Sequence, residues 1–195
     1  MPEEPLPHVP PPDGRRPHQR RNAVVALCAL VLVSLGAVSA LRVLRSPGAD
    51  AATNSTVQEL YALRLEDGDG RVQALEQWRG HPLLINFWAT WCGPCVEEMP
   101  ALDRLRQEFA GQAVAIVGIG TEDRIKVKAF RDRLNLHLPL LAGGYDALAL
   151  ARSLGDRQGV LPYTVLLGSD GRILQQQAGA LDMQQVRSWL SATTP

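Results

Sequence analysis

Two short stretches of alternating apolar and polar residues open the part of the chain that can build a core. Leu60–Glu66 and Arg71–Leu75 flank the turn sequence Asp67-Gly68-Asp69-Gly70, which predicts a β-hairpin. Two nearly continuous apolar runs follow, at 82–88 and 113–119. Runs of this length are typical of strands that are buried on both faces of a sheet.

Helical spacing of apolar residues predicts four helices, at 93–110, 124–134, 145–154 and 182–190, the last capped by Asp182. Further strands are predicted at 163–167 and 172–178. The order hairpin, β, α, β, α, α, β, β, α indicates an α/β fold with a central mixed sheet flanked by helices. In the second helix, the spacing directs four side chains toward the core: Ile125, Val127, Phe130 and Leu134.

The first 50 residues have a different character. Seven of the 14 prolines lie between Pro2 and Pro17, so we interpret 1–22 as a disordered, Pro- and Arg-rich cytoplasmic tail. Ala23–Leu41 is uncharged and, at about 1.5 Å per residue, forms a helix of about 28 Å, close to a bilayer core of about 30 Å. The arginines that precede this run predict a cytoplasmic N-terminus.

Two interpretations of this segment stay open, a transmembrane anchor or uncleaved signal over 23–44 and a signal peptide that is cleaved after Ala40. Either one exports the rest of the chain. We favour the anchor, because the apolar run continues past Arg42 to Val43-Leu44 and is longer than that of a usual signal peptide. It predicts a single-pass protein of a bacterial inner membrane, with a linker at 45–56 and a catalytic domain at 57–195 in the periplasm.

Composition sharpens this picture. The 20 Lys and Arg residues balance the 20 Asp and Glu residues, which argues against a nucleic-acid-binding protein. The zero net charge is a cancellation, because 1–50 carry a net charge of +2 and 51–195 a net charge of −2. Three cysteines are too few for a disulfide-rich scaffold, and Cys28 lies inside the apolar run, so Cys92 and Cys95 are the exported thiols.

The motif Trp91-Cys92-Gly93-Pro94-Cys95 lies between a predicted buried strand and a predicted helix. At a helix N-terminus, free backbone N–H groups and the helix dipole stabilise a thiolate. We expect Cys92 to form a mixed disulfide with the substrate and Cys95, being more shielded, to resolve it. Half of a zinc site and a purely structural disulfide are the alternatives, but no second Cys pair or spaced histidines accompany the motif.

The sequence Phe87-Trp88-Ala89-Thr90-Trp91-Cys92-Gly93-Pro94-Cys95, together with Leu161-Pro162 and Gly171, resembles the thioredoxin superfamily. It is most similar to the membrane-anchored, thioredoxin-like branch that includes TlpA, ResA and CcmG (DsbE-type) proteins. The resemblance covers about residues 57–193. It implies a thioredoxin-like fold, and a redox-active Cys92–Cys95 disulfide with no bound metal or other cofactor.

The resemblance also implies roles for particular residues. Pro162 is expected to be a cis-proline opposite the cysteines, where Leu161 pairs with an extended substrate segment; an ordinary strand-initiating proline is the alternative. Asn86 stands where classical thioredoxin has a buried Asp and cannot accept a proton. Glu98 is the candidate proton acceptor for Cys95, unless it is an exposed surface residue like Glu97. The candidate substrate-contacting residues are Trp91, Gly93, Pro94, Leu161 and Pro162.

The predicted function is a protein-disulfide reductase, since the Gly-Pro dipeptide matches reducing thioredoxin. The resemblance implies a transmembrane thiol-electron donor, and apocytochrome c or copper-assembly proteins as substrates, as in cytochrome c-type biogenesis. The alternatives are a disulfide-forming oxidase, a peroxiredoxin-like peroxidase, and a non-enzymatic metal or haem chaperone in which Cys92 and Cys95 are soft ligands.

Overall fold

A computed structural model describes the backbone of residues 47–193 and the side chains of residues 55–193. The predicted tail (1–22), the predicted anchor (23–44) and Cys28 lie outside these residues. The described residues from Gly48 onward belong to one compact unit. Within the described part, no helix combines the length and the apolar character needed to cross a bilayer.

The described chain contains five helices, one short 3₁₀ helix and seven strands. The helices are α1 (Pro47–Ala62), α2 (Gly93–Glu108), α3 (Arg124–Leu134), α4 (Asp146–Ser153) and α5 (Met183–Thr193), and the 3₁₀ helix is Leu75–Trp78. The strands are β1 (Arg64–Asp67), β2 (Val72–Ala74), β3 (Leu83–Trp88), β4 (Ala115–Gly120), β5 (Leu140–Ala142), β6 (Tyr163–Leu167) and β7 (Ile173–Ala178).

All seven strands form one mixed sheet in the order β2-β1-β5-β4-β3-β6-β7. The central strands β3, β4 and β5 are parallel, so their carboxyl ends meet at one edge of the sheet. Strand β6 pairs antiparallel with β3, with Tyr163 opposite Phe87. The first residues of β6 therefore lie beside the last residues of β3. At the other end of the sheet, β1 and β2 pair antiparallel, with Arg64 opposite Ala74.

Two apolar clusters, one on each face of the sheet, make up the core. Residues of α2, α3 and α5 build the first cluster, in which the Trp88 and Phe130 ring centroids are 4.4 Å apart. Residues of α1 and α4 cover the other face. Strand β3 is buried along its whole length because it contributes to both clusters. These two layers of helices around a mixed sheet confirm the predicted α/β architecture and bury β3 between them.

Three details differ from the sequence-based expectation. Residues Leu60–Ala62, predicted as strand, end helix α1, which begins within the range that we assigned to the linker. Strand β5 was missed, since its three residues are too few to show a period. Val127 and Phe130 are buried as predicted, but Ile125, predicted to face the core with them, is 72% exposed, because residues two apart in a helix do not share a face.

Candidate active site

The two cysteines of the motif lie at the start of α2, shortly after the end of β3. Cys92 is the N-terminal cap of α2, and its Sγ accepts a hydrogen bond of 3.3 Å from the backbone N–H of Cys95. Pro94 lies in the first turn, where its missing N–H costs no helical hydrogen bond. Cys92 and Cys95 form a disulfide, with their Cα atoms 5.2 Å apart. The predicted strand–turn–helix setting of the motif is therefore present.

The surroundings of the two sulfur-bearing residues differ. Cys95 is fully buried, whereas Cys92 keeps 6% of its surface exposed. Trp91, Gly93 and Pro94 are exposed around Cys92, and the Trp91 indole is 71% exposed. A protein that approaches the disulfide from solvent must therefore meet Trp91 and reach Cys92 before Cys95.

The loop that precedes β6 lies beside the disulfide-bearing loop. The Leu161–Pro162 peptide bond is cis, as the resemblance implied. Because Tyr163 pairs with Phe87, this loop lies next to the end of β3, only a few residues before Cys92. Pro162 is buried and Leu161 is half-buried, packing against both apolar clusters. The structure thus brings together two segments that are about 70 residues apart in sequence.

Glu98, which lies one helical turn after Cys95 in α2, takes part in a buried polar network. Its Oε1 accepts a hydrogen bond of 2.7 Å from the Asn86 side-chain amide, and its Oε2 accepts one of 3.1 Å from the Leu181 backbone N–H. The same Asn86 amide donates to Thr164 Oγ1 at 3.0 Å. Glu98 is only 6% exposed whereas Glu97 is exposed, so the alternative of a surface residue does not hold for Glu98.

Burial dominates the electrostatics of Glu98. Removal of the carboxylate from water raises the pKa of Glu98 above its ordinary value, although the hydrogen bonds from Leu181 and Asn86 act in the opposite direction. The sequence predicted Glu98 as the proton acceptor but named Asn86 only as unable to accept a proton, and it missed the contact between them as well as Thr164 and Leu181. Asn86 was the available signal, since it is the one polar residue in an otherwise apolar strand and needed partners for its amide.

A second carboxylate, which the sequence did not single out, supports the disulfide-bearing loop. Glu122 Oε2 accepts a hydrogen bond of 2.6 Å from the backbone N–H of Thr90, and Lys126 Nζ lies 3.2 Å from its Oε1. Burial tends to raise the pKa of Glu122, but the hydrogen bonds from Thr90 and Lys126 outweigh it and lower that pKa. Glu122 thus ties the β4–α3 connection to the residues just before Cys92.

Comparison with known proteins agrees with this geometry. Residues 49–190 match the Redoxin family. The chain belongs to the Redoxin family. Relatives of this Redoxin-family protein include the thiol-disulfide oxidoreductase ResA of Geobacillus thermodenitrificans, which is 30% identical over 67% of this chain and 74% of the relative. The ResA of Bacillus thuringiensis (strain Al Hakam) is 26% identical over 90% of this chain and 99% of the relative.

Solved structures share the fold of this Redoxin-family protein. A secreted Mycobacterium tuberculosis disulfide oxidoreductase, homologous to Escherichia coli DsbE, superposes with a TM-score of 0.58 at 22% identity, over 69% of this chain and 98% of the other. A thiol:disulfide interchange protein from Chlorobium tepidum gives a TM-score of 0.60 at 19% identity, over 67% and 92%. The resemblance to the thioredoxin superfamily and to its ResA members is confirmed, and the solved structures confirm the thioredoxin-like fold.

Proposed function

We propose that this Redoxin-family protein reduces disulfide bonds in other proteins through Cys92 and Cys95. The observation that carries the proposal is the position of Cys92 at the N-terminus of α2, in a disulfide with the fully buried Cys95. A helix N-terminus favours the thiolate over the thiol, and the thiolate is the form that attacks a disulfide. The similarity to ResA thiol-disulfide oxidoreductases supports the same reaction.

The proposed reaction transfers two electrons from the protein to its substrate. In the reduced protein, the Cys92 thiolate attacks one sulfur of a substrate disulfide, forming a mixed disulfide and releasing the other substrate sulfur as a thiolate. The Cys95 thiolate then attacks Cys92 Sγ, which re-forms the Cys92–Cys95 disulfide and releases the second substrate thiol. Cys92 reacts first because it alone of the pair reaches the surface.

The second step requires that Cys95 lose a proton inside the protein. Cys95 is fully buried, so water does not take that proton directly. Glu98 lies one helical turn later in α2 and is buried with a raised pKa, which suits a carboxylate that accepts and returns a proton. Asn86 and the Leu181 N–H hold this carboxylate in place. We assign Glu98 as the proton acceptor for Cys95.

Thiol titration tests the role of Glu98. In Glu98→Gln, we expect the Cys95 thiol to lose its proton at higher pH and disulfide exchange to slow at neutral pH. The neighbouring Glu97→Gln is the matched control, because Glu97 is exposed on the same helix. An unchanged Cys95 titration and an unchanged exchange rate in Glu98→Gln would show that the assignment is wrong.

We further propose that the reaction takes place outside the cytoplasm, at a bacterial inner membrane. The uncharged run Ala23–Leu41 with its preceding arginines supports a single-pass anchor and a periplasmic domain. A reductase in that compartment needs electrons from the cytoplasm, so its donor is a transmembrane dithiol carrier. Its acceptors are disulfides in apocytochrome c or in copper-assembly proteins, which gives a role in cytochrome c maturation or copper-site assembly.

The reduction potential of the Cys92–Cys95 pair tests the direction of electron flow. A value near about −270 mV or below supports a reductase, and a value above about −150 mV overturns it in favour of an oxidase. Measurable peroxide consumption without disulfide reduction would instead identify a peroxidase. Tight stoichiometric metal binding without reduction would identify a chaperone. Cys92→Ser is the control that removes the attacking thiol and leaves the rest of the site.

A further inference from the structure

The disulfide-bearing loop lies between two other loops at the carboxyl edge of the sheet. The strand order β4-β3-β6 puts the Leu161-Pro162 loop on one side of it and the β4–α3 connection on the other. Hydrogen bonds join the β4–α3 connection to the disulfide-bearing loop, from Thr121 N–H to Trp88 O at 2.9 Å and from Thr90 N–H to Glu122 at 2.6 Å. A substrate polypeptide that lies across Cys92 and continues on the side opposite Pro162 therefore passes over the start of α3.

An open pocket of about 310 Å³ lies elsewhere on the domain, but a smaller one lies along this path. This smaller pocket has a volume of about 220 Å³, and one of its lining residues is Thr90, two residues before Cys92. Its lining combines apolar groups with two cationic side chains. The lining residues are Thr90, Lys126, Ala129, Phe130 and Arg133.

The two cations of this pocket are not equivalent. Lys126 Nζ already lies 3.2 Å from Glu122 Oε1, so its charge is balanced. The Arg133 guanidinium carbon lies 5.4 Å from the centroid of the Phe130 ring. Among residues 55–193, Arg133 has no acidic side chain within salt-bridge distance. The pocket therefore carries one unbalanced positive charge beside an apolar surface.

We propose that this pocket binds an acidic side chain of the substrate protein, an Asp or Glu that flanks the target disulfide. The inference rests on the proposed reduction of protein disulfides and adds a preference among them. A Glu fits the lining well, because its methylene groups pack against Phe130 and Ala129 while its carboxylate accepts two hydrogen bonds from the planar guanidinium of Arg133. The contact contributes binding and orientation, while Cys92 and Cys95 perform the exchange.

A substrate segment is the occupant that the geometry favours over a free small anion. Cys92 is recessed at 6% exposure, so a disulfide reaches it only when the polypeptide around that disulfide covers the neighbouring surface. An extended chain advances about 3.3 Å per residue, so the pocket beside Thr90 lies within reach of side chains a few residues from the target cysteine. The exposed Trp91 borders the same path.

The test uses matched disulfide peptides and the full-length, reduced protein. Each peptide contains one intramolecular disulfide and a single Glu, Gln or Lys at one of several positions on either side of it. The single-turnover rate constant is measured at low ionic strength for the wild type, Arg133→Gln and Arg133→Glu. Neutral hydroxyethyl disulfide reports whether the wild-type dithiol reduces disulfides at all, and circular dichroism reports whether each variant is folded.

For at least one position, we expect the Glu peptide to react about three- to tenfold faster than the Gln peptide with the wild type. This ratio should fall to about one in Arg133→Gln and invert in favour of the Lys peptide in Arg133→Glu. It should also shrink with added salt. Arg172→Gln, which removes an exposed arginine at the opposite edge of the sheet, should keep the wild-type ratio.

The outcomes separate this inference from the proposed function. If the wild type reduces hydroxyethyl disulfide but reacts equally with Glu and Gln peptides at every position, the acidic-side-chain preference is wrong and the reductase function stands. A preference that persists unchanged in Arg133→Gln overturns the pocket as its source. If the wild type reduces neither hydroxyethyl disulfide nor any peptide, both the function and the preference are wrong.

Discussion

Asn86 donates a hydrogen bond of 2.7 Å to the buried carboxylate of Glu98. This contact joins the central strand β3 to the helix that carries Cys95, and it lies in a region with almost no access to water. A neutral amide suits the position, because it satisfies the carboxylate without adding a second charge. The hydrogen bond from Asn86 therefore stabilises a buried carboxylate near the resolving cysteine. The titration of that carboxylate should make the stability of the domain depend on pH.

The raised pKa of Glu98 makes a prediction about stability. Because the folded state binds the Glu98 proton more tightly than the unfolded state, the contribution of Glu98 to the free energy of unfolding is largest below pH 4.5. That contribution is lost as the pH rises through the raised folded pKa. The Glu98→Gln variant lacks this titration, so its stability relative to the wild type should rise between pH 4.5 and neutral pH. Urea unfolding of both proteins across this range measures the difference, and a constant difference would contradict it.

Replacement of Asn86 by a second acid should be strongly pH-dependent. In Asn86→Asp, two carboxyl groups would meet in a buried site, and both cannot ionise without a large cost. We expect a loss of about 3 kcal/mol in the free energy of unfolding at pH 8, with much of it recovered at pH 5, where the pair shares a proton. The Asn86→Asp/Glu98→Gln double variant is the control, since it holds one acid only. The coupling would be wrong if Asn86→Asp lost the same free energy of unfolding at pH 5 and pH 8 and if the double variant lost as much as the single variant.

The Glu122–Thr90 contact should stabilise the disulfide-bearing loop. In Glu122→Gln, we expect a loss of about 1 kcal/mol at pH 7, because a hydrogen bond to a charged acceptor becomes one to a neutral acceptor. The pKa of Glu122 is lowered in the folded state, so the loss should shrink as the pH falls below 4.5 through that folded pKa. Lys126→Met keeps the Thr90 hydrogen bond and removes only the lysine, whose side chain is 60% exposed, so thermal unfolding should detect a smaller change there.

Trp91 should matter for substrates rather than for stability. Its side chain is 71% exposed, so Trp91→Ala should change the free energy of unfolding by no more than about 0.5 kcal/mol. A large aromatic side chain beside Cys92 is a strong contact for an approaching protein, and we expect the rate of insulin reduction to fall about tenfold or more. Val72→Ala, at an exposed apolar residue of the β1–β2 hairpin, should leave that rate unchanged. Equal rates for Trp91→Ala and the wild type would exclude a substrate contact.

The parts of the site that follow from local sequence were predictable. A strand, a two-residue turn and a helix N-terminus are short-range features, so the motif alone predicted the setting of Cys92 and Cys95. The α/β fold followed from the order of the periodic segments. Strand β5 was missed because its pairing with β4, rather than any pattern of its own, creates it. Ile125 and Val127 show the same limit, since both are apolar but lie two residues apart on opposite sides of one helical turn, and only the packing of α3 decided that Val127 is buried and Ile125 exposed.

The neighbours Glu97 and Glu98 mark the boundary between what sequence and tertiary structure determine. By itself, the sequence determined that a dithiol motif begins a helix after a buried strand, because those preferences act over a few residues. Only the tertiary structure decided that Glu98 lies inside with Asn86 and Leu181, and that Glu122 supports Thr90. Those contacts join residues 12 to 83 positions apart. Packing of the helices against the sheet creates them, and no local pattern records which face that packing buries.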